Sequence, residues 1–362
     1  MKVALIALPG KQTNQMPPLT LAYVAAVLEQ RRIIVRMYDH ALDATGSWHD
    51  IRRRLQTFQP QRVIVGGEDS RTIEQAVAQI HQSYPDILPL LVQRNGTDAP
   101  AAITGVLAWL DGVATVNQCL PNDVPFPARH LLSLEHYALR APGGELQTPV
   151  VIGWHINGQW HMRQPRQIGQ ELRTLVEEAG IRHVLFCEPA LTIDEQWFTE
   201  LLNYLISASL NVKWQAAVAL EHLDEETIPR LAQAGCEALT FVIAATSIFD
   251  SASRRNQARK LLTTIREHGI YTHATILLEP PYESIARLID VAATFSLNDV
   301  SFELMQTMRV GDDEQTIKRF ARQRYQEGQT RQRLIDRFGP VLGGLLWQLR
   351  VQHVDEDEEL GG

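Results

Sequence analysis

Residues 2–39 read KVALIALPGKQTNQMPPLTLAYVAAVLEQRRIIVRMYD. KVALIAL is a short apolar run that stops at Pro9-Gly10, a pair that ends strands. LTLAYVAAVLEQRR then sets Leu21, Val24, Ala25 and Leu28 at helical spacing, and IIVRMYD is extended and apolar again. Strand, helix and strand in so short a stretch form a βαβ unit, whose two strands must run parallel.

The same rhythm continues outward. WHDIRRRLQTFQ, SRTIEQAVAQIHQSY and APAAITGVLAWLD are helical, while RVIVGG, ILPLLV and GVATV are short strands. Residues 1–120 thus read as a Rossmann-like domain with helices on both faces of a parallel sheet. A proline-rich stretch, CLPNDVPFPARHLL and then ALRAPGGELQTP, makes 121–148 a linker. From 149 to 311 six further strands alternate with helices: PVVIGWHI, RHVLFCE, NVKWQAAVAL, ALTFVIAAT, YTHATILLEP and DVSFELM. This pattern predicts a partial (β/α)6 barrel, whose chemistry would sit at the C-terminal ends of the strands. Residues 312–354 read as a helical extension rich in arginine, either a solvated face or a docking surface for an acidic partner. Residues 355–362, DEDEELGG, read as an acidic tail.

The 362 residues are 45% hydrophobic and 21% charged, with a formal charge of −8, the composition of a folded protein with room for two domains. The acidic balance argues against nucleic acid or an anionic membrane as main partner. No segment approaches the roughly 20 apolar residues of a membrane span, and the first apolar run is too short for a signal peptide, so the expected location is the cytoplasm. Cys119, Cys187 and Cys236 are far apart and encode neither a disulfide framework nor a CxxC site.

Several segments, in register along most of the chain, resemble cobalamin-binding radical S-adenosylmethionine enzymes. MPPLTLAYVAAVLEQ resembles that family's early helix start, PFPARHLL its interdomain segment, and RQPRQIGQELRTLVEEAGIRHVLFCEPALTID its first barrel helix and second strand. NVKWQAAVALEHLDEETIPRLAQAGCEALTFVIAATS and HGIYTHATILLEPPYES resemble its third to fifth barrel strands. The resemblance implies a cobalamin domain followed by a partial barrel that carries a [4Fe-4S] cluster and S-adenosylmethionine.

The residues for that chemistry are missing from the matching positions. The family holds its cluster with three cysteines spaced C-x3-C-x2-C after the first barrel strand, because soft thiolates stabilise iron–sulfur clusters. Here the region reads VVIGWHINGQWHMRQP, residues 150–165, without a cysteine. Apolar and polar residues alternate on either side of Asn157-Gly158, which predicts a two-residue hairpin with cross-strand pairs His155/Trp160 and Trp154/His161. Val242-Ile243-Ala244 stands where the family carries Gly-Ile-Glu, Ala219 where it carries arginine, and Glu279-Pro280-Pro281-Tyr282-Glu283 where it carries Gly-Leu-Pro-Gly-Glu. Gln93 and Arg94 replace glycines that back the corrin ring, and an arginine side chain opposes the close approach of a flat macrocycle.

The remaining polar candidates at the barrel mouth are His155, Cys187, Glu188, Glu221, Thr246, Ser247 and Glu279. His155 and His161 could join Cys187 or Glu188 on a metal, against the plainer reading of a structural hairpin. Cys187 reads more simply as a small buried apolar group than as a nucleophile. VIVGGEDS, opening a helix, could cradle an anion. The leading expectation is a non-catalytic relative that has lost the [4Fe-4S] cluster, S-adenosylmethionine and cobalamin, and serves as a binding or structural subunit with a protein partner. Two alternatives stand beside it: a repurposed enzyme or small-molecule binder at the barrel mouth with a divalent metal, and a corrinoid or tetrapyrrole sensor.

Overall fold

The computed structural model describes residues 1–9, 16–40, 42, 48–67, 69–87, 89–93, 99–113, 119, 121–137, 139–187, 191–243, 251–278, 282–295, 297–304 and 314–359. The chain divides into two compact units, Met1–Trp214 and Gln215–Gly362.

In the first unit β1 (Lys2–Ala7), β2 (Ile34–Asp39), β3 (Arg62–Gly67) and β4 (Leu90–Gln93) form a sheet of order β2-β1-β3-β4. All three pairings are parallel, with Leu5 opposite Met37 on one side and Ile64 on the other. The helices are α1 (Leu19–Gln30), α2 (Trp48–Phe58), α3 (Ser70–Ser83) and α4 (Ala99–Asp111). Side chains along a strand point alternately to its two faces. Val3, Leu5 and Ala7 therefore pack with Leu21, Ile103 and Val106 of α1 and α4, and Ala4, Ile6 and Leu8 with Ile51, Leu55 and Ile80 of α2 and α3. Cover on both faces is why β1 is apolar throughout rather than alternating.

The segment read as a linker is built rather than open. It makes three one-turn 3-10 helices, Pro121–Asp123, Arg129–Leu131 and Leu134–His136. The Ala128 amide donates to Ala22 O at 2.9 Å, and the Tyr137 hydroxyl donates to Asp39 Oδ2 at 2.7 Å. Of GVATV, only Gly112 and Val113 are among the described residues.

PVVIGWHI, expected as one strand, is two. β5 (Gln147–Val151) ends at Ile152, and β6 (Gly153–Ile156) turns away to pair antiparallel with β7 (Gln159–Met162). Ile152 forms the corner: its amide donates to Cys187 O at 3.3 Å and its carbonyl accepts from the Arg163 amide at 2.9 Å. The apolar pattern runs on without interruption because both strands bury side chains, so periodicity alone did not reveal the bend. After α5 (Pro165–Ala179), β8 (His183–Cys187) pairs in parallel with β5, and α6 (Glu195–Ala208) follows.

The unit boundary falls inside β9 (Lys213–Val218). The second unit continues with α7 (Thr227–Gln233), β10 (Cys236–Ile243), α8 (Ala252–Glu267), β11 (Tyr271–Leu278), α9 (Tyr282–Ala292), β12 (Asp299–Leu304) and α10 (Glu314–Glu359). β10–β11 and β11–β12 are parallel. The six barrel-type strands follow the order β12-β11-β10-β9-β8-β5, chain order for successive β/α repeats. α10 is interrupted at Gly339 (φ 79°, ψ 167°) before Pro340, where a proline removes a helical hydrogen bond. Its backbone stays helical through 355–359, the stretch expected as a tail. No helix among the described residues is long and apolar enough to cross a membrane.

Candidate functional site

The β6–β7 hairpin forms as its turn residues dictate. Asn157 (φ 52°) and Gly158 (φ 82°) take the two left-handed positions of the turn, the conformation that suits the twist of a tight hairpin. Trp154 lies opposite His161, and His155 opposite Trp160. The His155 and Trp160 rings meet at 5.2 Å, inclined by 63°. Trp154 has no exposed surface, whereas His155 is exposed.

Trp154 covers a buried charge cluster. Glu171 of α5 lies between two guanidinium groups, with Arg129 Nη2 2.7 Å from Oε1 and Arg163 Nη2 2.7 Å from Oε2. Arg129 also donates to Pro149 O at 2.8 Å, and Arg163 to Val151 O at 2.6 Å. The Trp197 indole N–H donates to Arg163 O at 2.6 Å. The Arg163 guanidinium sits 5.8 Å from the centre of the Trp154 ring, and Tyr23 of α1 meets that ring edge-on at 5.1 Å. Both arginines thus hold the end of β5 and the start of the hairpin to α5 through one carboxylate.

The electrostatics fix the protonation states. Burial pushes the Glu171 carboxyl up, yet Arg163 and Arg129 together outweigh it and hold the group below its ordinary value. Burial likewise disfavours the Arg163 charge, and Glu171 and then Tyr23 restore it with a net rise. The Tyr23 phenol is pushed far above its usual range, chiefly by burial and next by the Glu171 charge. Its hydroxyl has no hydrogen-bond partner among the described residues. Near neutral pH the carboxylate stays ionised and the phenol protonated, so these groups can hold backbone in place and are not poised to transfer protons.

Three of the sequence-derived mouth residues, His155, Cys187 and Glu221, are among the described residues. His155 is exposed on the hairpin. Cys187 is half-buried at the end of β8, with Sγ 3.6 Å from Leu185 O. Glu221 is exposed in the one-turn 3-10 helix Leu220–His222. Glu188, Thr246, Ser247 and Glu279 lie outside the described residues. Among the described residues no group of three or more His, Cys, Asp and Glu is placed to hold a metal ion. In VIVGGEDS the α3 N-terminus is filled by its own cap, Asp69, which accepts from the Thr72 amide at 2.9 Å and from its hydroxyl at 2.8 Å. Gly66 and Gly67 are there for packing: a Cβ would come within 2.9 Å of Leu21 and 2.8 Å of Ile73.

Tyr23, Arg129, Arg163 and Glu171 were not singled out from sequence, although a signal for one of them is present. Glu171 falls on the apolar stripe of α5 among Ile168, Leu172 and Leu175, and a carboxylate on a buried stripe must find charged partners. All four residues lie in the three segments MPPLTLAY, PFPARHLL and RQPRQIGQEL.

Solved structures share this architecture at low sequence identity. Over 83% of this chain and 74% of that one, it is similar to the radical S-adenosylmethionine methyltransferase TsrM from Kitasatospora setae, solved with cobalamin and a [4Fe-4S] cluster, at TM-score 0.63 and 12% identity. The fold is that of cobalamin-dependent radical S-adenosylmethionine enzymes. TsrM solved with tryptophan substrate and a S-adenosylmethionine analogue gives TM-score 0.62 and 12% identity, over 83% of this chain and 72% of that one. The cobalamin-dependent enzyme OxsB, solved with aqua-cobalamin, gives TM-score 0.60 and 11% identity over 99% of this chain, which spans 61% of the OxsB chain. No protein-family model matches the sequence, and no curated protein matches it.

The donor set of this radical S-adenosylmethionine fold does not fit a [4Fe-4S] cluster. Such a cluster takes thiolates from one site, and the chain's three cysteines fall beyond α4, at the end of β8 and at the start of β10. Between β5 and α5, the buried ring is Trp154 and the buried charge is Arg163.

Proposed function

We propose that this chain is a non-catalytic protein on a cobalamin-dependent radical S-adenosylmethionine scaffold, acting as a binding or structural subunit of a larger protein assembly. In this reading residues 1–120 keep the cobalamin-type sheet, 149–311 keep the barrel, and neither holds its ancestral cofactor. The observation that carries it is the stretch 152–164. There a cysteine-free hairpin, with Trp154 seated on Tyr23 and Arg163, occupies the connection after the first barrel strand. Loss of cobalamin is supported by the sequence Gln93-Arg94 at the end of β4 and by the packing that fills the Cβ positions of Gly66 and Gly67.

The binding role is supported by α10. Around its interruption Phe338, Val341, Leu342 and Leu345 are 41%, 76%, 50% and 52% exposed, on a helix that also carries many arginines. Contiguous apolar side chains left in water mark contact surfaces, and arginine is enriched where proteins meet. The test is purification from the source cells without oxygen, followed by iron, sulfide and visible-absorbance measurements and by native mass determination. The expected result is a complex heavier than the chain, with far less iron than one cluster per chain and no corrinoid absorbance. Iron and sulfide at one [4Fe-4S] per chain, stoichiometric cobalamin, or a native mass equal to that of the single chain would each overturn the proposal.

A further inference from the structure

In the second unit, β11 and β12 run parallel with His273 opposite Asp299 and Thr275 opposite Ser301. Burial along β11 alternates: Thr272, Ala274, Ile276 and Leu278 are fully buried, whereas His273 and Thr275 are half-buried. The two sets therefore point to opposite faces of the sheet. On β12 the buried Phe302 meets Tyr325 of α10 at 6.0 Å, so its neighbour Ser301 points to the face that His273 occupies. On the other side of β11, Val242 lies opposite Thr275 and is exposed, which leaves this face open to water.

Three groups are joined there in a line. His273 Nδ1 lies 3.2 Å from Asp299 Oδ2, and Nε2 lies 3.1 Å from Ser301 Oγ. The other carboxylate oxygen of Asp299 accepts from the Val300 amide at 2.8 Å, which fixes the carboxylate. An ionised carboxylate can only accept, so in the neutral imidazole Nδ1 carries the proton and Nε2 offers its lone pair to the Ser301 hydroxyl. Ser301 Oγ is also 3.1 Å from Thr275 Oγ1. Hydroxyl hydrogens rotate to suit their partners, so Thr275 can donate to Ser301 while Ser301 donates to Nε2.

A hydroxyl bonded to a base that is itself oriented by a carboxylate is the arrangement that makes serine a nucleophile, whatever the order of the three in sequence. Stability gives little reason for it, because Asp299 is exposed and a solvated ion pair contributes little. Ser301 lies mid-strand, without the strand-to-helix turn that aims amides at an oxyanion. Such a serine attacks only acyl groups that already carry a good leaving group, and the ester it forms, with an alkoxide to expel, persists.

We infer that Ser301 is an acyl-acceptor site, with His273 as its base and Asp299 as a positioning residue, and that it takes the acyl group of an activated ester or thioester. Ser301 Oγ bonds to the acyl carbon as its proton passes to His273 Nε2. The bond from that carbon to the leaving oxygen or sulfur breaks, and His273 returns the proton to the leaving group. The serine is consumed rather than regenerated, so the site is compatible with a non-catalytic chain and does not rest on the loss of cofactors.

The test treats the full chain with p-nitrophenyl acetate and locates acetyl groups by tandem mass spectrometry. Wild type is expected to gain an acetyl group at Ser301, while Ser207, an exposed serine whose hydroxyl donates to Tyr204 O at 2.9 Å, stays unlabelled. His273→Gln is expected to slow labelling of Ser301 about 100-fold or more, the lower end of a general base's contribution. Asp299→Asn should slow it at least about tenfold, and Asp299→Glu should recover part of that loss. Thermal melts report that each variant is folded. Absence of an acetyl group at Ser301, or labelling at an equal rate in His273→Gln, would overturn the assignment. So would release of p-nitrophenol well beyond one per chain that disappears in Ser301→Ala, because the ester would then be turned over and the site would be that of a hydrolase.

Discussion

The chain uses arginine in two opposite settings within its first unit. Arg129 and Arg163 are 9% and 2% exposed and share Glu171 at 2.7 Å, whereas Arg36, Arg53 and Arg54 stand in water around a cleft without a lining carboxylate. Removing a guanidinium from water costs several kcal/mol unless a counter-charge and hydrogen bonds replace the water. The buried pair meets that condition with one carboxylate and two backbone carbonyls, and is committed to structure. The exposed trio stays in solvent and bears no such cost.

The difference is open to test, beginning where the effect is largest. Glu171→Gln leaves two guanidinium groups buried without a counter-ion and is expected to lower stability by about 3–5 kcal/mol in urea unfolding. A triple Arg129→Met, Glu171→Leu, Arg163→Met variant that regains most of this loss would show that the cluster specifies geometry more than it stabilises. Trp154→Ala empties the cover over the cluster and should cost a comparable ~3–5 kcal/mol by the same measurement. A loss below 1 kcal/mol would mean that the hairpin is not held by this contact.

The pH dependence has a definite sign. Glu171 is held below its ordinary value of 4.5 in the folded chain. Its contribution is therefore complete above about pH 4.5 and fades as pH falls through the lower folded value. Thermal melts between pH 7 and pH 3 should show an acid limb in wild type that is reduced in Glu171→Gln. Identical limbs would break the assignment of acid sensitivity to this residue.

Tyr23→Phe removes a buried hydroxyl without a hydrogen-bond partner among the described residues, so it should leave stability unchanged or raise it by up to about 1 kcal/mol. A clear loss would reveal that the hydroxyl is satisfied. At the far end of the scale, exposed Arg36→Gln should change stability by no more than about 0.5 kcal/mol in urea unfolding. A large destabilisation there would erase the contrast between the two settings.

Much of the architecture is legible in the residues. KVALIAL, RVIVGG and YTHATILL carry strand patterns and APAAITGVLAWLD a helix, and each forms where its pattern predicts. Asn157-Gly158 encodes the hairpin because few other pairs accept two positive φ angles. The corner at Ile152 was not legible, because β5 is buried throughout and β6 opens with buried Gly153 and Trp154, so the apolar signature runs on through the bend. Nor was the charge cluster as a unit: Arg129, Arg163 and Glu171 are widely spaced in sequence, and pairwise charge attraction over such distances leaves no local pattern.

The amino-acid order by itself determined the α/β class and the hairpin at Asn157-Gly158, in a stretch without cysteine, because turn chemistry, side-chain period and donor type are local properties. Only the tertiary structure decided which arginines became counter-ions and which line an open cleft. That outcome depends on burial, and burial is set by how α1, α5 and the hairpin close over Glu171 while β2 is left at the sheet edge.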